Sequence, residues 1–471
     1  MQRLNRDMLE RYDIPPRAPA GVRAVLFGLN DPLPGVATRL LSQAMPDLGL
    51  ACVPSDAPHT GDGADPAALL GEQDGLYTLL IRGYRGETPV TEERVVQSIL
   101  RVMDGKGALD ALAAEPALCL GLVDMESGDP EADLRNVARL LTARHRAGRD
   151  GLALMCLGED ADCGAKTRDA VAALAAAFHP EAGFADWLAT TCAFHSALAE
   201  GFAFRADAKS AARQCAAMNY ADGMLMLAEP FARLTVQAPA DFRARWPLDA
   251  GGDIRFTDDL SPVLAQKRRY FDASLFAMAA PGWLLGCDTL SDCMKHPRLR
   301  EFVGKTCDEE LLPPGPEARQ AAAPAVIEAF GRFENPLTPN ALLPSVRPLL
   351  GRFRRAVLPL IRAWADERFE PPRRLTFALA AAIMLCAGAR PNAQGRYEVL
   401  RGNQVHILDD DPAALSLFAT LAHDMPPEAL AYAVLADREL WHGEDLREID
   451  GLEARVALDI ANLQRQPDYL P

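Results

Sequence analysis

Short apolar runs and amphipathic stretches alternate along the first half of the chain. The apolar runs have the length of buried strands and lie at Val22–Phe27 and at residues 50–53, 117–123 and 152–156. Amphipathic or alanine-rich stretches at 35–45 and 166–178 have the spacing of helices. Alternating strands and helices predict an α/β Rossmann-like N-terminal domain with a mostly parallel, doubly wound sheet.

The second half of the chain has the periodicity of helices. A glycine-containing turn, DAGGD at 249–253, separates the two halves. We therefore predict two domains, residues 1–250 and 251–471, the second mostly α-helical. Apolar residues between 349 and 364 form one helical stripe, and the arginines between them are expected to face solvent: Arg352, Arg354, Arg355 and Arg362.

Composition indicates a globular protein, because 471 residues with 49% hydrophobic content can build large cores. A formal charge of −16 argues against nucleic acid or an anionic membrane as the main partner. The N-terminal stretch MQRLNRDMLERYDIPPRAP is charged throughout, unlike a secretory signal. The longest apolar run, at 377–388, is shorter than the roughly 20 residues of a membrane span. We expect a cytoplasmic protein.

The cysteines do not indicate a metal site. All 10 are scattered without a C-x-x-C pair, and no Cys/His cluster has zinc spacing. Cys156 and Cys163 flank an acidic loop, CLGEDADC, which is interpreted as a surface turn. The sequence therefore predicts reduced thiols and no metal.

The first apolar run ends at Gly28, where a glycine turn leads into the first amphipathic helix. Strand, glycine turn and helix in this order form the start of a nucleotide-binding unit. The turn reads G-L-N-D-P-L-P-G and lacks the G-x-G-x-x-G spacing. Gly28 is therefore a candidate for contact with a dinucleotide.

A second candidate site lies on residues 256–276, FTDDLSPVLAQKRRYFDASLF. On an α-helix, residues five and eight apart lie about 140 and 80 degrees from the first, so Lys267, Asp272 and Leu275 can border one cleft. An alcohol dehydrogenase without a metal needs a base for the hydroxyl proton, and a desolvated lysine suits that role. A carboxylate at 272 favours the charged ammonium instead, and Leu275 can donate no hydrogen bond.

This stretch resembles the mannitol dehydrogenase family, most closely its tagaturonate reductase (altronate oxidoreductase) branch. In that branch a T-D-D-L-T-P run leads into a helix reading K-x-x-x-x-N-x-x-H. The resemblance covers nearly the whole chain, through G-E-Q-D-G-L-Y-T-L from Gly71, E-N-P from Glu334 and G-E-D-L from Gly443. It implies an NAD-binding Rossmann-like domain followed by a helical mannitol-dehydrogenase-type domain.

The resemblance also implies roles for residues of the second half. Lys267 would be the catalytic general acid or base, with Asp272 at the asparagine position of the family's catalytic helix. Asn340 and Arg352 would bind substrate, where relatives carry histidine and lysine. Arg352 keeps a cation that can hold a carboxylate.

Four residues of the first half would lie at the NAD site by the same resemblance. Gly28 matches the first glycine of the family's turn, and Asn30 stands at the second. Glu126 and Gly128 match a second loop of the branch. An asparagine at the second glycine position adds a side chain where pyrophosphate would approach the backbone.

The implied activity is metal-independent hydride transfer between NAD(H) and a sugar acid or polyol, as in hexuronate metabolism. A second hypothesis is a non-catalytic homologue (a pseudoenzyme) that keeps the scaffold for binding or regulation, since Leu275, Pro348 and Leu349 replace polar residues. A third is altered specificity, in which Asp272 and Arg352 serve a neutral or cationic substrate. The choice between NAD and NADP, and the oligomeric state, stay open.

Overall fold

The structure is a computed structural model that divides into two units, Met1–Leu264 and Ala265–Pro471, called unit 1 and unit 2 below. The domain boundary predicted from the sequence, at residue 250, precedes this division. The residues that the structure describes are 1–9, 11, 14–15, 21–29, 33–54, 65–103, 106–126, 130–246, 248, 252–337, 341–421 and 425–471.

The four predicted apolar runs coincide, to within a few residues, with four of the strands of unit 1. In chain order the strands of unit 1 are β1 (Val22–Phe27), β2 (Gly49–Val53), β3 (Tyr77–Arg85), β4 (Thr88–Val96), β5 (Ile99–Val102), β6 (Leu120–Asp124), β7 (Ala153–Leu157), β8 (Ala193–Glu200), β9 (Ala203–Arg205), β10 (Met226–Ala228), β11 (Arg233–Gln237) and β12 (Ile254–Thr257).

The larger sheet of unit 1 has the strand order β12-β11-β8-β7-β6-β1-β2-β5. Neighbouring strands run parallel except β8 and β11, which are antiparallel. The mostly parallel sheet expected from the sequence is therefore confirmed. A smaller sheet has the order β4-β3-β10-β9.

Strand β1 shows why its sequence is apolar without interruption. Ala24 and Leu26 belong to one hydrophobic cluster, whereas Val25 and Phe27 belong to another. Successive side chains of a strand point to opposite faces of the sheet, so both faces of β1 are covered. All four side chains are 0% exposed.

Helices cover this sheet and connect its strands. In chain order the helices of unit 1 are α1 (Arg6–Leu9), α2 (Thr38–Ala44), α3 (Pro66–Glu72), α4 (Lys106–Ala113), α5 (Pro130–Arg146), α6 (Cys163–Phe178), α7 (Phe184–Thr191), α8 (Ala208–Met218) and α9 (Ala240–Arg245). The connecting helix α10 (Ser261–Gln266) follows at the division between the units.

Unit 2 is mostly helical, as predicted. Its helices are α11 (Ala273–Leu284), α12 (Leu290–Lys295), α13 (Pro297–Thr306), α14 (Pro316–Phe333), α15 (Leu342–Val346), α16 (Leu349–Arg352), α17 (Leu358–Arg368), α18 (Arg373–Ala387), α19 (Pro412–Thr420), α20 (Pro427–Leu435) and α21 (Leu452–Arg465). A 3-10 turn also lies at Leu446–Glu448.

The strands of unit 2 form one antiparallel sheet, β13 (Arg390–Pro391), β14 (Tyr397–Arg401) and β15 (Gln404–Leu408). The longest apolar run of the sequence lies in α18, which packs against α11 and α21. Within the described chain, no helix has both the length and the apolar character to cross a membrane.

Four segments within the described ranges wind as π-helical turns, at Leu33–Ala37, Lys267–Asp272, Cys307–Leu311 and Phe353–Val357. A π-helical turn holds one more residue than an α-helical turn and rotates the side chains that follow it. The turn at Phe353–Val357 interrupts the predicted stripe. The expectation that its arginines face solvent is wrong for Arg352, Arg354 and Arg355, which are half-buried, whereas the Arg362 side chain is 42% exposed.

Candidate active site

The π-helical turn at Lys267–Asp272 decides the geometry of the lysine site. In an α-helix residues i and i+5 lie on different sides, whereas in a π-helix the backbone hydrogen bonds join i and i+5. Lys267 and Asp272 are therefore neighbours on one side of the helix. The Lys267 Nζ donates to both Asp272 carboxylate oxygens, at 3.0 Å to Oδ1 and 2.8 Å to Oδ2.

Asp272 is a buried carboxylate that two cations share. Its side chain is 1% exposed, and it accepts from both Lys267 and the Arg352 Nη1. The side chains of Lys267 and Arg352 are 10% and 11% exposed. Two cations and one carboxylate give this cluster, the Lys267–Asp272–Arg352 trio, a formal charge of +1. Leaving either cation without the carboxylate would be costly at this degree of burial.

Arg352 reaches the trio from the last position of the short helix α16. Its Nε donates to the Val346 carbonyl at 3.3 Å, which ties the guanidinium to the end of α15. The start of α16 is held by Asp410, whose Oδ2 accepts from the Leu350 N–H at 2.9 Å. Burial raises the pKa of Asp410. The arginine is thus positioned by a helix anchored at both ends.

The nucleotide-binding candidates of unit 1 lie where the strand order reverses. From β1 the chain proceeds to β2 on one side, and later places β6 on the other side of β1. In open α/β sheets, ligands bind outside the carboxyl ends of strands at such a switch point. Gly28 follows β1 and Glu126 follows β6, so both residues lie at this edge.

Gly28 has the backbone conformation that a glycine at this turn requires. Its φ is +82°, in the region that side chains disfavour. A Cβ there would lie 2.8 Å from the Asp133 Oδ2, so any larger residue would also collide with α5. Asp133 is 1% exposed. The positive φ and this close approach both favour glycine at position 28.

The structure brings together some of the predicted site residues and leaves others outside its description. Lys267, Asp272 and Arg352 form one cluster in unit 2. Gly28 and Glu126 share one sheet edge in unit 1, where the Glu126 Oε1 accepts from the Glu159 N–H at 3.3 Å. The remaining candidates, Asn30, Gly128 and Asn340, lie outside the described residues.

Comparison with curated proteins finds relatives along most of the chain. The altronate oxidoreductase of Bacillus subtilis (strain 168) is 25% identical over 419 residues, covering 84% of this chain and 83% of that protein. The altronate oxidoreductase of Klebsiella pneumoniae (strain 342) is 28% identical over 420 residues, covering 83% and 84%. This chain is a homologue of the altronate oxidoreductases. No family model matches it.

Solved structures agree on the fold of this chain. The Pseudomonas fluorescens mannitol 2-dehydrogenase, in a ternary complex with NAD and D-mannitol, superposes with a TM-score of 0.73 at 19% identity and covers 99% of this chain and 98% of that one. A D-sorbitol dehydrogenase in substrate-free form gives a TM-score of 0.66 at 16% identity, covering 99% of each chain. The predicted mannitol dehydrogenase fold is confirmed.

Buried apolar residues occupy two positions on the helices next to the trio. Leu275 is 0% exposed on α11, and Leu349 is 1% exposed at the start of α16. Neither side chain can hydrogen-bond to a substrate.

Two residues beside the trio were not predicted from the sequence. The Phe271 ring, inside the π-helical turn, lies 5.9 Å from the Lys267 Nζ. The Arg332 guanidinium carbon lies 4.2 Å from the centre of the same ring. A cation over an aromatic face is attracted by the ring quadrupole. Arg332 lies two residues before the E-N-P motif at Glu334, so that motif is the sequence signal that could have pointed to Arg332.

The arrangement suits binding of an oxygen that carries negative charge. Lys267 and Arg352 present positive charge in a mostly buried setting, where electrostatic stabilisation is strong. Lys267 can also exchange a proton. Among the described residues, the histidine, cysteine, aspartate and glutamate side chains form no group of three or more that could hold a metal ion.

Proposed function

We propose that this chain is an NAD-dependent oxidoreductase that transfers hydride between NAD(H) and a sugar acid, interconverting a hydroxyl and a carbonyl group. The observation that carries the proposal is the trio itself. Arg352 lies 80 residues from Asp272 in the chain, yet both it and Lys267 contact the same buried carboxylate. A lysine and an arginine held side by side supply a proton carrier and an anion-binding group.

The charge of the trio favours an anionic substrate. Asp272 is 1% exposed and already accepts from two cations, so it is poorly placed to bind a cationic substrate. Arg352 presents a planar fork that matches a carboxylate. The related proteins named altronate oxidoreductase support a sugar acid, and we propose the pair tagaturonate and altronate as the first substrates to test.

Lys267 would exchange the proton at the substrate oxygen, while Arg352 holds the carboxylate and Asp272 orients both cations. A carboxylate beside Lys267 favours its protonated form. The protonated form can donate to a carbonyl oxygen, whereas removal of a hydroxyl proton requires the neutral amine. We therefore propose that reduction of the keto acid is the faster direction at neutral pH.

The residues at the switch point fit a dinucleotide. The backbone at Gly28 has a positive φ that favours glycine, and Glu126 follows the adjacent strand β6. These two residues would hold the cofactor at the sheet edge. When bound, NAD supplies the hydride donor or acceptor.

The test is NADH oxidation with tagaturonate, followed by absorbance, in the wild type and in Lys267→Met. General acid–base catalysis contributes about 10²- to 10⁴-fold, so we expect Lys267→Met to lose about 10³-fold in kcat. The control is Lys305→Met, a lysine on α13 that pairs with Glu301 and is 51% exposed. Turnover by Lys267→Met equal to that of the control would contradict the assignment of Lys267.

A second candidate function is that of a non-catalytic binding protein on the same scaffold. It is favoured by Leu275, which is 0% exposed, and by the engagement of both Asp272 oxygens with Lys267. Calorimetry with NADH and NADPH separates the two candidates. Micromolar binding together with turnover supports the oxidoreductase, whereas binding without turnover of any keto acid or polyol supports the second candidate.

A further inference from the structure

A cavity of about 300 Å³ lies in unit 2, between the start of α15 and the β14–β15 hairpin. Its lining does not include any member of the trio. The cavity is at the start of α15, whereas the Val346 carbonyl that anchors Arg352 is at its end. The cavity and the trio are therefore formed by different residues.

Two buried polar atoms on residues that line this cavity have no hydrogen-bond partner. They are the Trp283 Nε1 and the His406 Nε2. Trp283 is 7% exposed, and its ring lies 6.3 Å from the His406 ring. A buried donor or acceptor without a partner is costly, and a small polar molecule in the cavity would remove that cost.

Cys287 lines the same cavity, with Cys293 behind it. Cys287 is 6% exposed and Cys293 is 0% exposed. Both lie against Gly282, whose carbonyl accepts from the Cys287 N–H at 2.9 Å and whose Cβ position would be 2.5 Å from the Cys293 Sγ. Interaction with the Cys293 side chain lowers the pKa of the Cys287 thiol, and the same interaction raises the pKa of Cys293.

A positive charge also lies beside Cys287. The Arg401 Nη1 donates to the Cys287 carbonyl at 2.8 Å, and the guanidinium further lowers the pKa of the thiol. Burial and the carboxylates of Asp288 and Asp292 act in the opposite direction. Thiolates near cations and hydrogen-bond donors are the reactive form of cysteine.

We propose that Cys287 and Cys293 form a dithiol site for oxidation by a peroxide that enters this cavity. The Cys287 thiolate attacks one peroxide oxygen, the O–O bond breaks, and the departing hydroxide takes a proton to become water. Cys287 is oxidised to sulfenic acid and the peroxide is reduced. The Cys293 sulfur then attacks the Cys287 sulfur, the S–O bond breaks, and the disulfide and a second water form. This inference is independent of the proposed oxidoreductase activity.

The test uses the folded full-length chain, first reduced and then exposed to hydrogen peroxide. Free thiols are alkylated, and peptides are mapped by mass spectrometry. We expect a disulfide between Cys287 and Cys293, seen as loss of two hydrogen atoms. In Cys293→Ser we expect a sulfenic acid at Cys287 that dimedone traps, because the second thiol is absent.

Cys215 provides the matched control, since it is also 6% exposed but does not line the cavity. We expect Cys287 to react about tenfold faster than Cys215 in the wild type. Cys215→Ser should leave the disulfide yield unchanged. Oxidation of Cys215 at the same rate, or the absence of a Cys287–Cys293 disulfide in the folded wild type, overturns the proposal.

Substitutions on the β14–β15 hairpin test whether reagents reach Cys287 through the cavity. Val405 lines the cavity and Leu400 does not, although the two residues are paired across β14 and β15. Their exposures are similar, at 55% and 68%. Val405→Trp should slow dimedone trapping in the Cys293→Ser background about fivefold or more, whereas Leu400→Trp should not. Equal rates in the two variants would show that the cavity is not the route.

Discussion

Unit 1 and unit 2 each bury a positive charge, but they satisfy it differently. Arg144 on α5 is 1% exposed and donates to four main-chain carbonyls, those of Ala113, Glu115, Leu118 and Asp150. Burial lowers its pKa. Arg352 is 11% exposed and shares a carboxylate with Lys267. The first arginine joins chain segments, and the second remains partly accessible.

The difference distinguishes a structural cation from a candidate functional one. A guanidinium whose donors all go to carbonyls closes a loop and has no capacity left for a ligand. A trio with two cations and one carboxylate has an excess positive charge. Because about a tenth of each cationic side chain is exposed, the trio can attract and contact an anionic ligand. The following changes test that contrast.

The largest effect on stability is expected for Arg144→Met, at about 4 kcal/mol lower free energy of unfolding. Four carbonyls would lose their donor in a buried setting. Urea unfolding measures the change. The control Arg146→Met lies on the same helix with a 58% exposed side chain, and we expect no more than about 0.5 kcal/mol there. Equal losses would contradict the structural role of Arg144.

Asp272→Ala should lower the free energy of unfolding by about 3 kcal/mol, because two mostly buried cations lose their shared carboxylate. The control is Asp308→Ala, whose side chain is 63% exposed and pairs with Arg319. Exposed pairs contribute about 0–1 kcal/mol. A loss at position 272 no larger than at position 308 would mean that the carboxylate does not hold the trio together.

Arg352→Lys should reduce kcat/KM for an anionic substrate about 10- to 100-fold, mainly through KM, because lysine keeps the charge but loses the planar fork. Steady-state kinetics with tagaturonate measures it. Arg347→Lys is the control, since that side chain is 55% exposed and pairs with Asp409 on the surface. Similar KM values for both variants would remove Arg352 from the substrate site.

The smallest effect concerns Asp410, the anionic counterpart of Arg144, since it accepts from main-chain N–H groups. Burial raises its pKa above the usual 3.8. A raised carboxyl pKa stabilises the folded state at low pH, and that contribution is lost as pH rises through the folded value. From about pH 4 to pH 7 the wild type should therefore lose up to about 1 kcal/mol relative to Asp410→Asn.

Unfolding in urea at several pH values checks this prediction. The matched control is Asp409→Asn at the adjacent aspartate, whose side chain is 59% exposed. A pH dependence of Asp410→Asn that parallels the wild type would show that Asp410 does not contribute in this range.

The fold could be predicted from the sequence because its signals are local. The apolar run at β1 is unbroken since both faces of that strand are covered, and Gly28 ends it where a positive φ favours glycine. The order of strands and helices then specifies a doubly wound sheet and a helical second half. The short motifs that resemble the mannitol dehydrogenase family could also be recognised because each is a local stretch of sequence.

The candidate site depended on tertiary structure. α-Helical spacing allowed Lys267 and Asp272 to border one cleft, but the π-helical turn made them direct partners. Arg352 joined them from 80 residues away, at the end of α16 and directly before a second π-helical turn. The sequence by itself determined which residues could carry charge and chemistry. Only packing decided that two cations share one buried carboxylate, because burial and contact depend on segments that are distant in the chain.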